Sequence, residues 1–131
     1  NPEESIDFHG FTGPFIQYTY ARLRSILRKE SALDSPLKIT TSLFPLEKEL
    51  ILLLDQYPDH VRQASVEYNP SAIANYIYSV AKTCNSFYTE HRVLKAESEQ
   101  KKVLRLQLCN LTASVIKSGM HLLGIRVPER M

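Results

Sequence analysis

The sequence predicts an all-α fold, an antiparallel bundle of about five helices. Three observations carry that expectation. Apolar residues step by three and four, most clearly at Ile73, Ile77, Val80, Cys84 and Phe87. No short stretch alternates convincingly between apolar and polar, so no sheet is expected. Breaks fall between the stripes at Ser35-Pro36, Tyr57-Pro58-Asp59 and Asn69-Pro70-Ser71.

Gly13-Pro14 opens the first helix, because proline's missing N–H has no partner in a first turn anyway. Thr12 is the expected N-cap. Ile16, Tyr20, Leu23 and Leu27 share one face of a helix over about 13–30. The opposite edge carries Tyr18, Arg22, Ser25 and Lys29, one aromatic ring and two cations in a line. Residues 31–45 show no period and are expected to be a mobile loop. Pro45 starts a second helix through Leu46, Leu50, Leu53 and Leu54, and a short third one is expected over roughly 59–68. The stripe from Ile73 to Phe87 places a fourth helix at about 71–90, ended by a connection from His91 to Ala96. Ser98 should cap a fifth helix, with Leu104, Leu108, Leu111 and Val115 facing the core and Gly119 as its left-handed terminus.

With 131 residues the chain fits one domain, here taken as 1–131, and is too short for a nucleotide-activating domain plus a recognition domain. It begins at Asn1 rather than Met, which suggests a piece of something longer. The longest aliphatic run is Leu50 to Leu54, too short for a membrane span, and the amino-terminal stretch is acidic and polar, unlike a signal peptide. Two cysteines, Cys84 and Cys109, are too few for a disulfide framework, and a cytoplasmic setting is expected. The net charge of +2 hides an asymmetry: residues 31–69 carry three basic and six acidic side chains, residues 70–131 nine and four. Local basic stretches suit a polyanion, whereas solvated helix faces are the plainer reading.

A catalytic or metal site is not expected. His9, His60, His91 and His121 are far apart in sequence, and neither cysteine has a neighbour at ligand spacing. Glycine-rich phosphate loops, dinucleotide fingerprints and nucleophile elbows are absent. Glu97 and Glu99 look like a solvated helix start. What remains is aromatic and basic chemistry: Tyr occurs seven times, and Tyr76, Tyr78 and Tyr88 share the fourth helix with Lys82 and Asn85, with Arg92 just beyond. Unpaired RNA bases are held by such stacking surfaces and polar contacts. Tyr20 and Tyr76 lie near apolar faces and are expected in the core, while Tyr18 and Tyr88 lie off the stripes or at a helix end. Met131 reads as a frayed end or as a soft surface for a base. The long amphipathic stripes and the acidic block 31–69 support a rival reading, a helical protein-interaction module with no RNA role.

The stretch from Thr12 through Gly13-Pro14-Phe15-Ile16-Gln17-Tyr18 to Arg22 resembles the exit from the catalytic domain in class I arginyl-tRNA synthetases. Asn85-Ser86-Phe87-Tyr88, Val93-Leu94, Gly119 to Ile125 and Pro128-Glu129-Arg130-Met131 resemble that family too, in order and from end to end. Two departures stand out: Thr19 and Tyr20 replace the Ala and His of many members. Lys102-Val103-Leu104-Arg105 keeps only the last two residues of the family's Asp-Ala-Leu-Arg signature. The resemblance implies the carboxy-terminal anticodon-binding helical domain, with residues 1–12 as the junction from a missing catalytic domain. It further implies that Tyr18, Tyr88 and Met131 grip the anticodon loop of an arginine tRNA. Arg22, Asn85 and Arg92 are added as contacts on charge and proximity in sequence. The fragment itself would need no cofactor; ATP with magnesium would belong to the catalytic domain. The expected partners are the anticodon stem-loop and that domain, with no membrane and a monomeric state.

Overall fold

The computed structural model describes residues 12–30 and 37–131. Five α-helices occupy them: α1 (Gly13–Arg28), α2 (Pro45–Asp55), α3 (Tyr57–Glu67), α4 (Pro70–Glu90) and α5 (Glu99–Leu122). The expected junction over 1–12, save Thr12, and the first part of the expected loop over 31–45 lie outside the described residues.

Each helix start has a local cause. Pro14, Pro45, Pro58 and Pro70 all sit in first turns, where the missing N–H costs nothing. Pro58 therefore begins α3, which starts at Tyr57, two residues before the expected start. Thr12 does not cap α1 with its side chain: its own backbone is helical (φ −66°, ψ −45°), and a capping oxygen reaches back only from an extended residue. Ser98 is extended and accepts the Lys101 amide at 3.1 Å, as expected. Glu47 accepts the Phe44 amide at 2.7 Å and so satisfies one donor at the start of α2.

Gly119 does not end α5. The helix runs on to Leu122, and a Cβ on Gly119 would collide with Ile77 Cδ1, so glycine is there for close packing of α5 on α4. The reversal falls at Gly124, whose φ of 76° suits a residue without Cβ. Its amide bonds to His121 O and that of Ile125 to Met120 O, both at 2.9 Å, the paired pattern of a left-handed helix end.

Helix α5 is the centre of the bundle and packs on α4, α1 and α2. Every residue from Leu104 to Cys109 is buried, so a single apolar stripe does not describe it. Leu111, expected in the core, is 37 % exposed, while Thr112 is buried and returns its hydroxyl to Leu108 O at 2.7 Å. Ile16, Tyr20, Leu23, Ile77, Phe87, Leu108 and Met120 fill the space between the helices, and Cys84 and Cys109 are buried free thiols. Ion pairing of Glu30 with Lys102 joins the end of α1 to the start of α5, so these two helices are antiparallel. Phe15 meets Tyr78 and Arg22 meets Asn85, so α1 and α4 run parallel and bring their later turns to the same side.

A buried ionic cluster ties the helix starts together. Glu47 is fully buried and takes Lys101 Nζ at 2.6 Å and Arg105 Nε at 2.8 Å. Arg105 also donates twice to Glu97, at 2.6 and 2.9 Å, and once to the carbonyl of Arg92 at 2.8 Å. Glu97 is thus a solvated helix-start residue, as expected, that also pairs with Arg105. Burial pushes the Glu47 carboxyl up, but the bonds from Lys101, the Phe44 amide and Arg105 outweigh it and leave its pKa lowered. The Arg105 hydrogen bonds bring the Glu97 carboxyl down to about 2.

Candidate nucleic-acid interface

Parallel packing of α1 on α4 sets Tyr18 and Arg22 beside Asn85 and Tyr88. The Arg22 guanidinium lies 5.5 Å from the Tyr18 ring centre and 5.2 Å from that of Tyr88, within cation–π range of both. Arg22 Nη1 donates to Asn85 Oδ1 at 3.1 Å, and Asn85 Nδ2 donates to Thr19 Oγ1 at 3.4 Å. Asn85 therefore stands behind Arg22 and fixes its orientation.

The carboxy-terminal tail closes the site. Past Gly124 the chain runs along α1, where Gln17 Nε2 donates to Arg126 O at 3.2 Å. Glu129 takes Tyr20 Oη at 3.1 Å, Arg24 Nε at 3.0 Å and, on its carbonyl, Arg28 Nη1 at 3.0 Å. Burial and the Glu129 bond raise the Tyr20 pKa. Burial pushes the Glu129 carboxyl up, but Tyr20 and Arg24 leave it lowered overall. Met131 is therefore no frayed end: it is 69 % exposed and faces Tyr18 and Tyr88 across a cleft of about 500 Å³. Arg22, Arg28, Lys29 and Arg130 bring positive charge to that cleft, and no described Asp or Glu side chain lines it.

Of the expected site residues, Tyr18, Arg22, Tyr88 and Met131 share this one cleft. Arg92 does not. Its exposed side chain lines an adjoining cleft of about 390 Å³, with Lys95, on the far side of Tyr88 and Ile26. Tyr20 and Tyr76 are core residues, as expected; Tyr76 donates to Leu53 O at 2.6 Å. Sequence reasoning did not select Arg28, Arg130 or Lys95. Lys29 was visible on the edge with Tyr18 and Arg22; Arg130 had no periodic signal because it follows no helix.

The cleft offers stacking rings, guanidinium groups and an apolar thioether, with no nucleophile or acid–base pair. The Cys84 thiol is pushed up to about 12 by burial and is not a nucleophile. Among the described residues no three His, Cys, Asp or Glu side chains are placed to hold a metal ion. No helix among them is long and apolar enough to cross a membrane. Stacking rings and guanidinium groups are the chemistry by which unpaired RNA bases are held.

Comparison with known proteins points the same way. Residues 16–131 match the family model described as the DALR anticodon binding domain. The chain is 53 % identical over its whole length to the arginine–tRNA ligase of Flavobacterium psychrophilum, and 47 % identical to that of Parabacteroides distasonis. It spans only 22 % and 23 % of those two proteins. Among solved structures it superposes on arginyl-tRNA synthetase of Thermus thermophilus with a TM-score of 0.84 and 34 % identity, covering 98 % of this chain and 23 % of that one. The Plasmodium falciparum arginyl-tRNA synthetase gives 0.76 and 28 %, covering 100 % and 23 %.

Proposed function

Because the chain belongs to the DALR anticodon-binding domain family, we propose that its cleft between α1, α4 and the tail receives the anticodon loop of an arginine tRNA. The observation that carries this reading is the Tyr18–Arg22–Tyr88 stack, open to solvent and ringed by cations, with no Asp or Glu among the described residues that line it. Unpaired bases would rest on the Tyr18 and Tyr88 rings and on Met131, while Arg22, Arg28, Lys29 and Arg130 meet phosphates or base edges. Asn85 serves by holding Arg22, and Arg92 waits in the next cleft for a flanking nucleotide.

The longer protein would join arginine to its tRNA, and ATP with magnesium would act in its catalytic domain. The high identity to arginine–tRNA ligases over this whole chain supports that extension. The present residues would supply affinity and orientation and make no bonds. The proposed setting is the cytoplasm and the proposed state a monomer.

A filter-binding titration tests the reading. The chain should hold an arginine-tRNA anticodon stem-loop in preference to the same stem with a scrambled loop, and should hydrolyse no ATP. Equal binding of the two loops would overturn it; capture of a protein from low-salt extracts with no RNA retained would favour an interaction module instead.

A further inference from the structure

The tail after Gly124 has no helix or strand of its own, yet it follows a set course along α1. Its anchors come from one face of that helix: Gln17, Tyr20, Arg24 and Arg28 are spaced by three, four and four residues. Three of the four converge on Glu129, two on its carboxylate and one on its carbonyl. Glu129 does not itself line the Tyr18–Tyr88 cleft, but the next two residues, Arg130 and Met131, do.

We propose that Glu129 is a positioning residue of the RNA site, a clamp on α1 that sets Arg130 and Met131 as one wall of the cleft before RNA arrives. This rests on the RNA reading of that cleft. The physical reason is conformational entropy. An unheld tail samples many arrangements, and ordering it at the moment of binding subtracts from affinity. The clamp orders it in advance. Glu129 suits the task because its carboxylate offers two oxygens, one to a phenol and one to a guanidinium, and only a side chain with two acceptors matches both donors. Its half-exposed position also means that its removal opens no cavity in the core, although the Tyr20 hydroxyl loses its acceptor.

Two readouts on Glu129→Ala test the clamp. The first is affinity for the arginine-tRNA anticodon stem-loop, which should weaken roughly tenfold, about the worth of one stacked base. In a chain shortened by Arg130 and Met131 the same substitution should change nothing further, because nothing is left to position. The second readout uses the two methionines of the chain. The ¹³C-methyl signal of Met131 should move to the position of a free methionine, while that of Met120, fully buried in the core, stays in place. Should Met120 also move, Tyr20→Phe replaces Glu129→Ala as the variant, removing one donor and keeping the ring. Wild-type affinity with an unmoved Met131 signal overturns the clamp, as does an equal loss in the shortened chain. If the unaltered chain fails to bind the stem-loop, the RNA reading itself falls, and the methyl signals still show whether Glu129 holds the tail.

Discussion

Tyr88 divides two clefts, one shared with Tyr18, Arg22 and Met131 and one with Arg92 and Lys95. Its ring is partly buried against the core and partly open, which is the arrangement a stacking platform needs. Tyr88→Ala should cost about 1–3 kcal/mol of stem-loop binding. The check is the same titration, with circular dichroism showing unchanged helix content; unchanged affinity would remove Tyr88 from the site. Glu47 is the opposite kind of residue, fully buried and without solvent to replace its partners. Glu47→Ala should destabilise the fold by about 3–5 kcal/mol, since it strands the buried Lys101 without its counter-charge and leaves Arg105 with Glu97 alone. Urea unfolding would show this as a lower midpoint with an unchanged slope. Exposed aromatics off the apolar stripes were visible in the sequence, because helical spacing alone places Tyr18 away from the core face. The Glu47 cluster was not: Glu47 lies more than fifty residues from Lys101 and Arg105, and only the packing of α2 on α5 joins them.

The helices owe their ends to local chemistry and their depth to their neighbours. Prolines and Ser98 mark the starts through rules that act within one turn, so they were legible. Burial around α5 was not, because it depends on three helices covering one. Gly119 makes the difference concrete. Read locally, a glycine near the end of a helix is a terminus; in the bundle it is where Ile77 of α4 presses against the backbone of α5. Gly119→Ala should therefore destabilise by about 1–3 kcal/mol through overpacking against Ile77, despite alanine's better helix propensity. Thermal melts should show that loss shrink when Ile77→Ala is added to Gly119→Ala, compared with the sum of the single changes. A Gly119→Ala variant as stable as the parent would contradict the close approach.

At the scale of the molecule, charge is divided between the structural ion pairs and the cleft. Carboxylates are spent on structure, at Glu47, Glu97 and Glu129, while no Asp or Glu among the described residues lines the cleft. Two consequences follow for solution behaviour. Both Glu47 and Glu97 have folded-state pKa values below those of ordinary glutamates, Glu97 at about 2. Their stabilisation is present above the unfolded pKa and is lost as pH falls through the folded one. Denaturant midpoints should hold steady above about pH 5 and drop between about pH 5 and pH 2, the interval from the ordinary glutamate range downwards. A midpoint that stays level to pH 2 would mean that these carboxylates are not held as described. RNA affinity should also fall with salt, with a log–log slope of about −0.7 for each phosphate met on a single strand. A flat salt dependence would show that the cations around the cleft do not meet phosphates.

The sequence by itself determined the helical class, the helix starts and the aromatic and basic character of the candidate site, because periodicity, proline and capping act over a few residues. Ordered motifs from Gly13-Pro14 to Pro128-Glu129-Arg130-Met131 also pointed to the family, to which residues 16–131 match. Only the tertiary structure decided which of these residues meet. It separated Arg92 from Tyr18, put Arg22 between two rings, and turned the tail back along α1 through Glu129. Those contacts join residues that can lie more than a hundred positions apart. No local rule encodes them, because they exist only once α1, α4 and α5 have packed and the tail has found the face of α1 that they leave open.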